Sequence, residues 1–331
     1  MTMLVTLPDP SSPLDHATAS AAFADLLEGR AADEDIARFL TDLTIRGETA
    51  VEIAAAAREM RARMVRISAP PGAIDVCGTG GDGTHSLNVS TAVSLVVAAC
   101  GVPIAKHGNR AASSKAGAAD TLEALGLDIG IASANAERSL KELGIAFLFA
   151  PSYHPALARL AAIRRAIGRR TVFNLLGPLA NPASVTRQLI GIARPDYVRL
   201  YAEALSLLGP ERAMIISGME GLDELSISGP SQLALIDGGI RETVISPTDA
   251  GLALHPLEAL RGGDAAFNAA ALTRLLDGEA GAYRDAVLLN AAGALMVADR
   301  ACEWSEGAAL AAEAIDSGAA KRLLAQWIAF R

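Results

Sequence analysis

The sequence predicts an α/β protein: a mostly parallel sheet flanked by helices, plus a smaller all-helical N-terminal domain. Three observations predict it. Residues 17–67 carry apolar positions at helical spacing and contain no strand pattern. Residues 74–105 read as strand, glycine loop, helix and second strand. Beyond residue 171 short apolar runs alternate with helical segments. Strands alternating with helices after an all-helical start indicate a helical domain joined to an α/β domain.

The elements follow in order. Pro8, Pro10 and Pro13 keep the first residues irregular. Leu26, Leu27, Ile36, Phe39, Leu40, Leu43 and Ile45 recur at helical spacing, with breaks at Gly29 and Gly47, and the alanine-rich residues 48–65 form a further helix. Pro70 and Pro71 mark a boundary. Residues 74–77 are a short apolar strand, a helix begins near Ser90, and residues 102–105 are a second buried strand. Short helices are expected over residues 119–125, 133–143 and 156–167, with a turn at 151–155. Strands are expected at 188–193 and 212–217 around a helix at 196–208. Asp237-Gly238-Gly239 between two apolar runs signals a hairpin, and helices dominate from Pro256 onward. The expected domains are residues 1–68, joined by helices from about 133–166, and an α/β unit of residues 72–132 and 167–331.

With 331 residues, 51% of them hydrophobic, the chain suffices for a substantial core in two domains. Its net charge of -8 argues against a general nucleic-acid footprint, which is basic. Basic residues gather locally, as Lys106, Arg110 and Lys115 and as Arg159, Arg164, Arg165, Arg169 and Arg170. Cys77, Cys100 and Cys302 lie far apart in apolar runs, with no zinc spacing; buried thiols in a reducing compartment are expected. The first residues lack a basic region followed by an apolar core, and the apolar run at 88–105 is broken by Asn88, Ser90, Gly101 and Pro103. A cytoplasmic protein with no signal peptide and no membrane span is therefore expected.

The chemistry concentrates between Ile74 and Asp120. Glycines in Gly78-Thr79-Gly80-Gly81-Asp82-Gly83 allow positive φ and close approach of a ligand to backbone amides. Asn88, Ser90 and Thr91 precede an apolar helix, and a helix start is an anion site. Lys106-His107-Gly108-Asn109-Arg110 then adds two cations, followed by the small loop Ala111-Ala112-Ser113-Ser114-Lys115. Gly78, Gly80 and Gly83 satisfy G-x-G-x-x-G literally. However, the helix starts late, the next strand leads to a lysine instead of an acid, and Thr84 stands where a P-loop needs lysine. A phosphate-bearing ligand outside both standard nucleotide motifs is expected. Asp223 and Glu224 follow a strand at the same sheet edge, and with Asp82 they suit Mg²⁺ held jointly with substrate oxygens. There is no nucleophile elbow.

At these residues the chain resembles the anthranilate phosphoribosyltransferases. Six motifs occur in order: Gly78-Thr79-Gly80-Gly81-Asp82; Asn88-Val89-Ser90-Thr91-Ala92; residues 106–110; 149–155; 173–182; and Gly221-Leu222-Asp223-Glu224. Arg46-Gly47-Glu48-Thr49 fits as well. The resemblance implies transfer of 5-phosphoribose from phosphoribosyl pyrophosphate (PRPP) to the amine of anthranilate, in tryptophan biosynthesis. It also implies a nucleoside phosphorylase-like fold, Mg²⁺ and a homodimer through the helical domain. By the same resemblance, PRPP contacts map to Gly78, Gly80, Gly81, Asp82, Thr84, Ser86, Asn88, Ser90, Thr91, Lys106, His107, Gly108 and Ser114, with Lys106 and Asp82 catalytic. Anthranilate contacts map to Gly78, Asn109, His154, Arg164, Gly177 and Pro178, and metal ligands to Ser90, Asp223 and Glu224. Ala116 and Ala118 depart from the family, standing where it often has small hydroxyl residues. Two alternatives share the architecture. A pyrimidine nucleoside phosphorylase would carry a KHSTGG-like motif and a longer chain. A non-catalytic nucleic-acid-binding relative would be basic and lack the glycine loop or the acidic pair.

Overall fold

The computed structural model describes residues 4–111 and 115–331. Its opening lobe is α1 (His16–Glu28), α2 (Asp33–Arg46) and α3 (Ala50–Ala62). Asp15 caps α1 by accepting the Thr18 N–H, and Gly29 ends it with φ 70°, a conformation open to glycine. Thr49 and Glu52 form a reciprocal capping box at the start of α3. Glu52 is fully buried and also accepts the Leu14 N–H at 2.9 Å and a hydrogen bond from Arg46. One carboxylate thus ties the N-terminal segment, the end of α2 and the start of α3 together.

The α/β unit contains β1 (Ile74–Gly78), α4 (Val89–Ala99), β2 (Ile104–Gly108), α5 (Ala118–Ala124), α6 (Ile129–Ala134), α7 (Ala136–Glu142) and β3 (Ile145–Phe149). Then come α8 (Ala150–Tyr153), α9 (Leu160–Ile167), β4 (Arg187–Gly191), α10 (Val198–Ser206), β5 (Arg212–Gly218), β6 (Ser231–Ile236) and β7 (Ile240–Ile245). Helices α11 (Ala265–Leu276), α12 (Ala282–Val297), α13 (Trp304–Asp316) and α14 (Ala319–Ala329) complete it. The strands form one sheet in the order β3-β2-β1-β4-β5-β6-β7. Strands β1 to β5 are parallel, and β6 and β7 add an antiparallel hairpin. The mostly parallel sheet with flanking helices and a helical lobe is the fold class the sequence predicts.

Two apolar cores sandwich the sheet. On one face Ile74, Val76, Ile104, Met214 and Ile216 pack with α4 and the C-terminal helices. On the other, Ile190, Ile215 and Ala234 share a core with α10, α9 and the opening lobe. Leu160 and Ile163 of α9 belong to that second core, whereas α6 and α7 lie against β3.

Several elements differ from expectation. β2 runs on to Gly108, so Lys106 and His107 lie inside the strand instead of in a loop after it. Pro103 has no N–H to give, but its carbonyl accepts the Ile74 N–H at 2.9 Å and sets the strand's start. The helix expected over 133–143 is two helices broken at Asn135. Pro155 opens a 3-10 turn, so α9 begins only at Leu160, and the turn at 151–155 includes the short α8.

The Glu52 cluster yields a prediction. Burial pushes its carboxyl up, but the Arg46 guanidinium and the Leu14 and Thr49 donors together hold it below the ordinary glutamate value. A depressed folded pKa stabilises fully above the unfolded value of about 4.3, and that stabilisation is lost as pH falls through the folded pKa. Glu52→Gln should cost about 3 kcal/mol at neutral pH, because Arg46 loses a buried partner. Thermal melting should show the gap to the parent narrowing below about pH 4.

Candidate active site

The strand order turns back at β1: the chain moves outward to β2 and β3, then returns to β4 on the other side. Ligands in open α/β sheets bind at the carboxyl ends of strands flanking such a point. Here β1, β2 and β4 all end in glycine, at Gly78, Gly108 and Gly191. A Cβ on Gly78 would come within 2.2 Å of the Asp223 carboxylate, and one on Gly191 within 1.6 Å of the Asp223 carbonyl. These glycines let the loop after β5 lie across the ends of β1 and β4. The Gly191 role has no counterpart in the sequence motifs.

That loop brings the acidic pair into the site. Asp223 accepts the Gly80 N–H at 2.7 Å, and Glu224 accepts the Ser90 N–H at 3.1 Å in the first turn of α4. Burial raises the pKa of Asp223, with repulsion from Asp82 adding to it, and burial with repulsion from Asp223 raises that of Glu224. Asp82 in turn accepts from Thr84 Oγ1 at 2.7 Å and the Thr84 N–H at 3.1 Å. Gly80 and Gly81 have positive φ and turn their carbonyls to Arg170, which donates to both at 3.0 and 3.1 Å. No sequence motif assigned Arg170 a role.

Lys106 is 3% exposed, yet its Nζ lies among polar groups, donating to the Val76 carbonyl at 2.8 Å and Ser90 Oγ at 3.2 Å. Burial lowers its pKa, opposed by the charges of Asp75, Glu224 and Asp223. Thr91 Oγ1, one residue on, is buried and has no hydrogen-bond partner among the described residues. Asn88 does not cap α4 with its side chain. Its Oδ1 accepts from Thr121 Oγ1 at 2.5 Å and Asn268 Nδ2 at 2.9 Å, and its Nδ2 donates to the Ala116 carbonyl at 3.3 Å. Tyr283 donates to the Asn88 carbonyl at 3.2 Å. These distant partners carry no motif and were invisible in the sequence. Ser86 sits in an isolated bridge with Arg261 at the edge of the same region.

On the other face of β2, His107 Nδ1 donates to the Gly177 carbonyl at 2.9 Å, and its Nε2 lies 3.2 Å from His154 Nε2. Burial lowers His107 to about 3, with repulsion from His154 adding to it, and burial lowers His154 to about 4. Both rings are neutral at physiological pH. With His107 Nδ1 donating to Gly177, His107 Nε2 accepts and His154 Nε2 donates, while the Ala180 backbone faces the His154 ring and opposes the fall in its pKa. Pro178 follows Gly177 in a 3-10 turn. Arg164 is half-buried, its guanidinium 5.8 Å from the Phe173 ring centre, and makes no ion pair among the described residues; Arg165 is exposed. Asn109 is exposed and turns its side chain back to the Arg110 N–H at 2.7 Å.

The basic groups read from the sequence do not act together. Arg110 is engaged by Asp120 and Glu123, and Arg159 by Asp33 and Gly29. Ser114 lies outside the described residues.

Known proteins place this geometry. The helical bundle domain of a glycosyl transferase family matches residues 10–64, and the a/b domain of that family matches residues 70–321. The anthranilate phosphoribosyltransferase of Novosphingobium aromaticivorans is 63% identical over 98% of this chain and 99% of its own length. The chain belongs to the anthranilate phosphoribosyltransferase family. A protein of that name from Sphingopyxis alaskensis is likewise 63% identical, over 98% of each chain. Among solved structures, the family member from Thermus thermophilus superposes with TM-score 0.92 at 42% identity, covering 97% of this chain and 96% of that one. The Saccharomyces cerevisiae enzyme in complex with PRPP and Mg gives TM-score 0.87 at 28% identity, covering 96% and 93%.

The donor set fits Mg²⁺. Asp223, Glu224 and Ser90 offer hard oxygen ligands at one helix start. No group of three or more His, Cys, Asp or Glu among the described residues could hold a metal alone. A Mg²⁺ site built from a few carboxylates plus substrate oxygens and water has that character.

The raised carboxyls give a second prediction. A carboxylate with a raised folded pKa loses stability as pH rises from the unfolded value near about 4 to its folded value. Asp223→Asn with Glu224→Gln removes two buried charges. In EDTA near about pH 8 its melting temperature should match or exceed the parent's, while turnover falls at least about 100-fold. A less stable double variant with unchanged turnover would contradict the site.

Proposed function

We propose that this protein transfers 5-phosphoribose from PRPP to the amine of anthranilate, giving N-(5-phosphoribosyl)anthranilate and pyrophosphate. The observation that carries this reading is the 63% identity, over 98% of the chain, to a protein of that name. In the reaction the amine nitrogen forms a bond to ribose C1, the bond from C1 to the pyrophosphate oxygen breaks, and the amine gives up a proton. An uncharged aromatic amine needs no strong base, so the protein's task is positioning and charge stabilisation.

In this reading the glycine loop, Thr84, Ser86, Asn88, Thr91 and the start of α4 receive PRPP. Thr91 Oγ1, buried and with no hydrogen-bond partner among the described residues, suits a phosphate oxygen. Lys106 places a desolvated ammonium beside the leaving group, and Asp82 completes the acidic side of the site. Asp223, Glu224 and Ser90 would hold Mg²⁺, which supplies charge neutralisation to the pyrophosphate when bound. Gly78, Asn109, His154, Gly177 and Pro178 border anthranilate, with Arg164 for its carboxylate. The half-buried guanidinium of Arg164, with no ion-pair partner among the described residues, supports that role.

The further organisation belongs to the same proposal. The helical domain comprises residues 1–68 with a contribution from 133–166, and two copies pair through it. The enzyme works in the cytoplasm, in tryptophan biosynthesis. Among the described residues no helix is long and apolar enough to cross a membrane.

The direct assay is loss of anthranilate fluorescence with PRPP and Mg²⁺, with uracil plus ribose 1-phosphate as the control pair. Turnover of the first pair alone is expected; turnover of the control alone would overturn the reading. Lys106→Gln should lower kcat/KM for PRPP about 100-fold, since an amide cannot replace a charge facing a phosphate. Steady-state kinetics should show a smaller change in KM for anthranilate. Arg164→Ala should raise KM for anthranilate roughly 10- to 150-fold, the loss of a charge-assisted hydrogen bond, while Arg165→Ala changes little. Equal small effects would place both arginines on a solvated helix face.

A further inference from the structure

We propose that Asp75 and Asn181 are positioning residues for this reaction: together they hold β1 and β2 apart at their carboxyl ends and set the places of Lys106 and His107. The proposal rests on the functional reading above.

β1 pairs with β4 along its whole length, from Ile74 to Gly78, but with β2 only at Ile74↔Ile104. In a regular parallel ladder the next rung would join the Val76 N–H to the Ala105 carbonyl and the His107 N–H to the Val76 carbonyl. Side chains take those positions instead. Asp75 Oδ1 accepts the His107 N–H at 3.1 Å, Asn181 Nδ2 donates to the Ala105 carbonyl at 2.8 Å, and Lys106 Nζ donates to the Val76 carbonyl at 2.8 Å. Buried backbone groups are nearly always paired, and here three side chains pair three of the four groups of that rung.

The wedge is over-determined. Asn181 Oδ1 accepts the Ala183 N–H at 2.8 Å, so its amide nitrogen is the atom that faces Ala105 and Asp75 Oδ2, the latter at 2.8 Å. Cys77 Sγ also points a donor at Asp75 Oδ2, at 3.3 Å. Every neighbour of this fully buried carboxyl donates, which suits a carboxylate. Burial raises its pKa above the ordinary aspartate value, and the charge of Lys106 and the three donors work against that rise.

The parting of the strands has consequences on both faces. It frees the Val76 carbonyl to anchor Lys106 Nζ beside Ser90. It also holds the His107 backbone where its ring meets Gly177 and His154. Closing the rung would give the Val76 carbonyl to His107 and draw both side chains out of place. A misplacement of about 1 Å costs on the order of 100-fold in rate.

The test combines kinetics per folded site with amide hydrogen exchange. Asp75→Asn keeps the shape but sets an amide against the Asn181 amide, or gives up the His107 N–H. Asn181→Ala leaves the Ala105 carbonyl unpaired and is the second variant should the first not fold. We expect kcat/KM for PRPP to fall about 100-fold in Asp75→Asn, mainly through kcat, and about tenfold in Asn181→Ala. Exchange should quicken at His107 while the amides of β4 stay protected, and Cys77→Ser should keep kcat within about twofold. Parental kinetics per folded site in the variants, or unchanged protection at His107, would overturn the proposal. A parent inactive on PRPP and anthranilate would instead overturn the functional reading, and the exchange pattern would still decide whether the wedge exists.

Discussion

The structure depends on keeping ionisable groups buried between β1 and β2 and at the carboxyl edge of the sheet. Lys106 is 3% exposed and Asp75 is fully buried. Asp223 and Glu224 are drawn into the same region by the loop after β5. A buried charge is tolerated only when paired and hydrogen-bonded. Within the protein Lys106 donates to the Val76 carbonyl and Ser90 Oγ, and Asp75 accepts from His107, Asn181 and Cys77. The acidic pair has two backbone N–H donors, and burial with repulsion from neighbouring carboxylates raises both pKa values.

The surrounding architecture serves that constraint. Glycines end β1 and β4 because the loop that delivers the acidic pair crosses them closely. Apolar cores on both faces fix the sheet, so its polar groups gather at the carboxyl edge. The opening lobe reaches the site through the second core. Phe23 packs edge-on against Phe173, and Phe173 in turn lies beside Arg164. The Arg164 side of the site is thereby tied to α1, and the acidic pair to α4 through Ser90.

The fold class was legible because period and punctuation agree: helical spacing to residue 67, then short apolar runs bounded by glycine and proline. The site was legible where chemistry is local, as in the glycine loop, Ser90 with Thr91, and the adjacent acids. Less legible was anything set by tertiary pairing. Lys106 and His107 read as loop residues because a charged residue in a strand suggests an end. Their place inside β2 depends on Asp75, Asn181 and Val76, which no spacing connects to them. Arg110 read as one of a local group of cations because its partners Asp120 and Glu123 face it only after α5 folds back. Asn88 read as a helix cap, and Thr121 and Asn268 instead claim its side chain from other elements.

Burial and neighbouring carboxylates favour the protonated forms of Asp223 and Glu224, and bound Mg²⁺ would favour the ionised forms. Calorimetric titration of the protein with PRPP and Mg²⁺ near neutral pH, in two buffers of different ionisation heat, measures this directly. The account predicts that binding heat depends on the buffer in the sense of proton release, and that the release fades as pH rises above the raised carboxyl range. Binding heat that is the same in both buffers, or that indicates proton uptake, would contradict it.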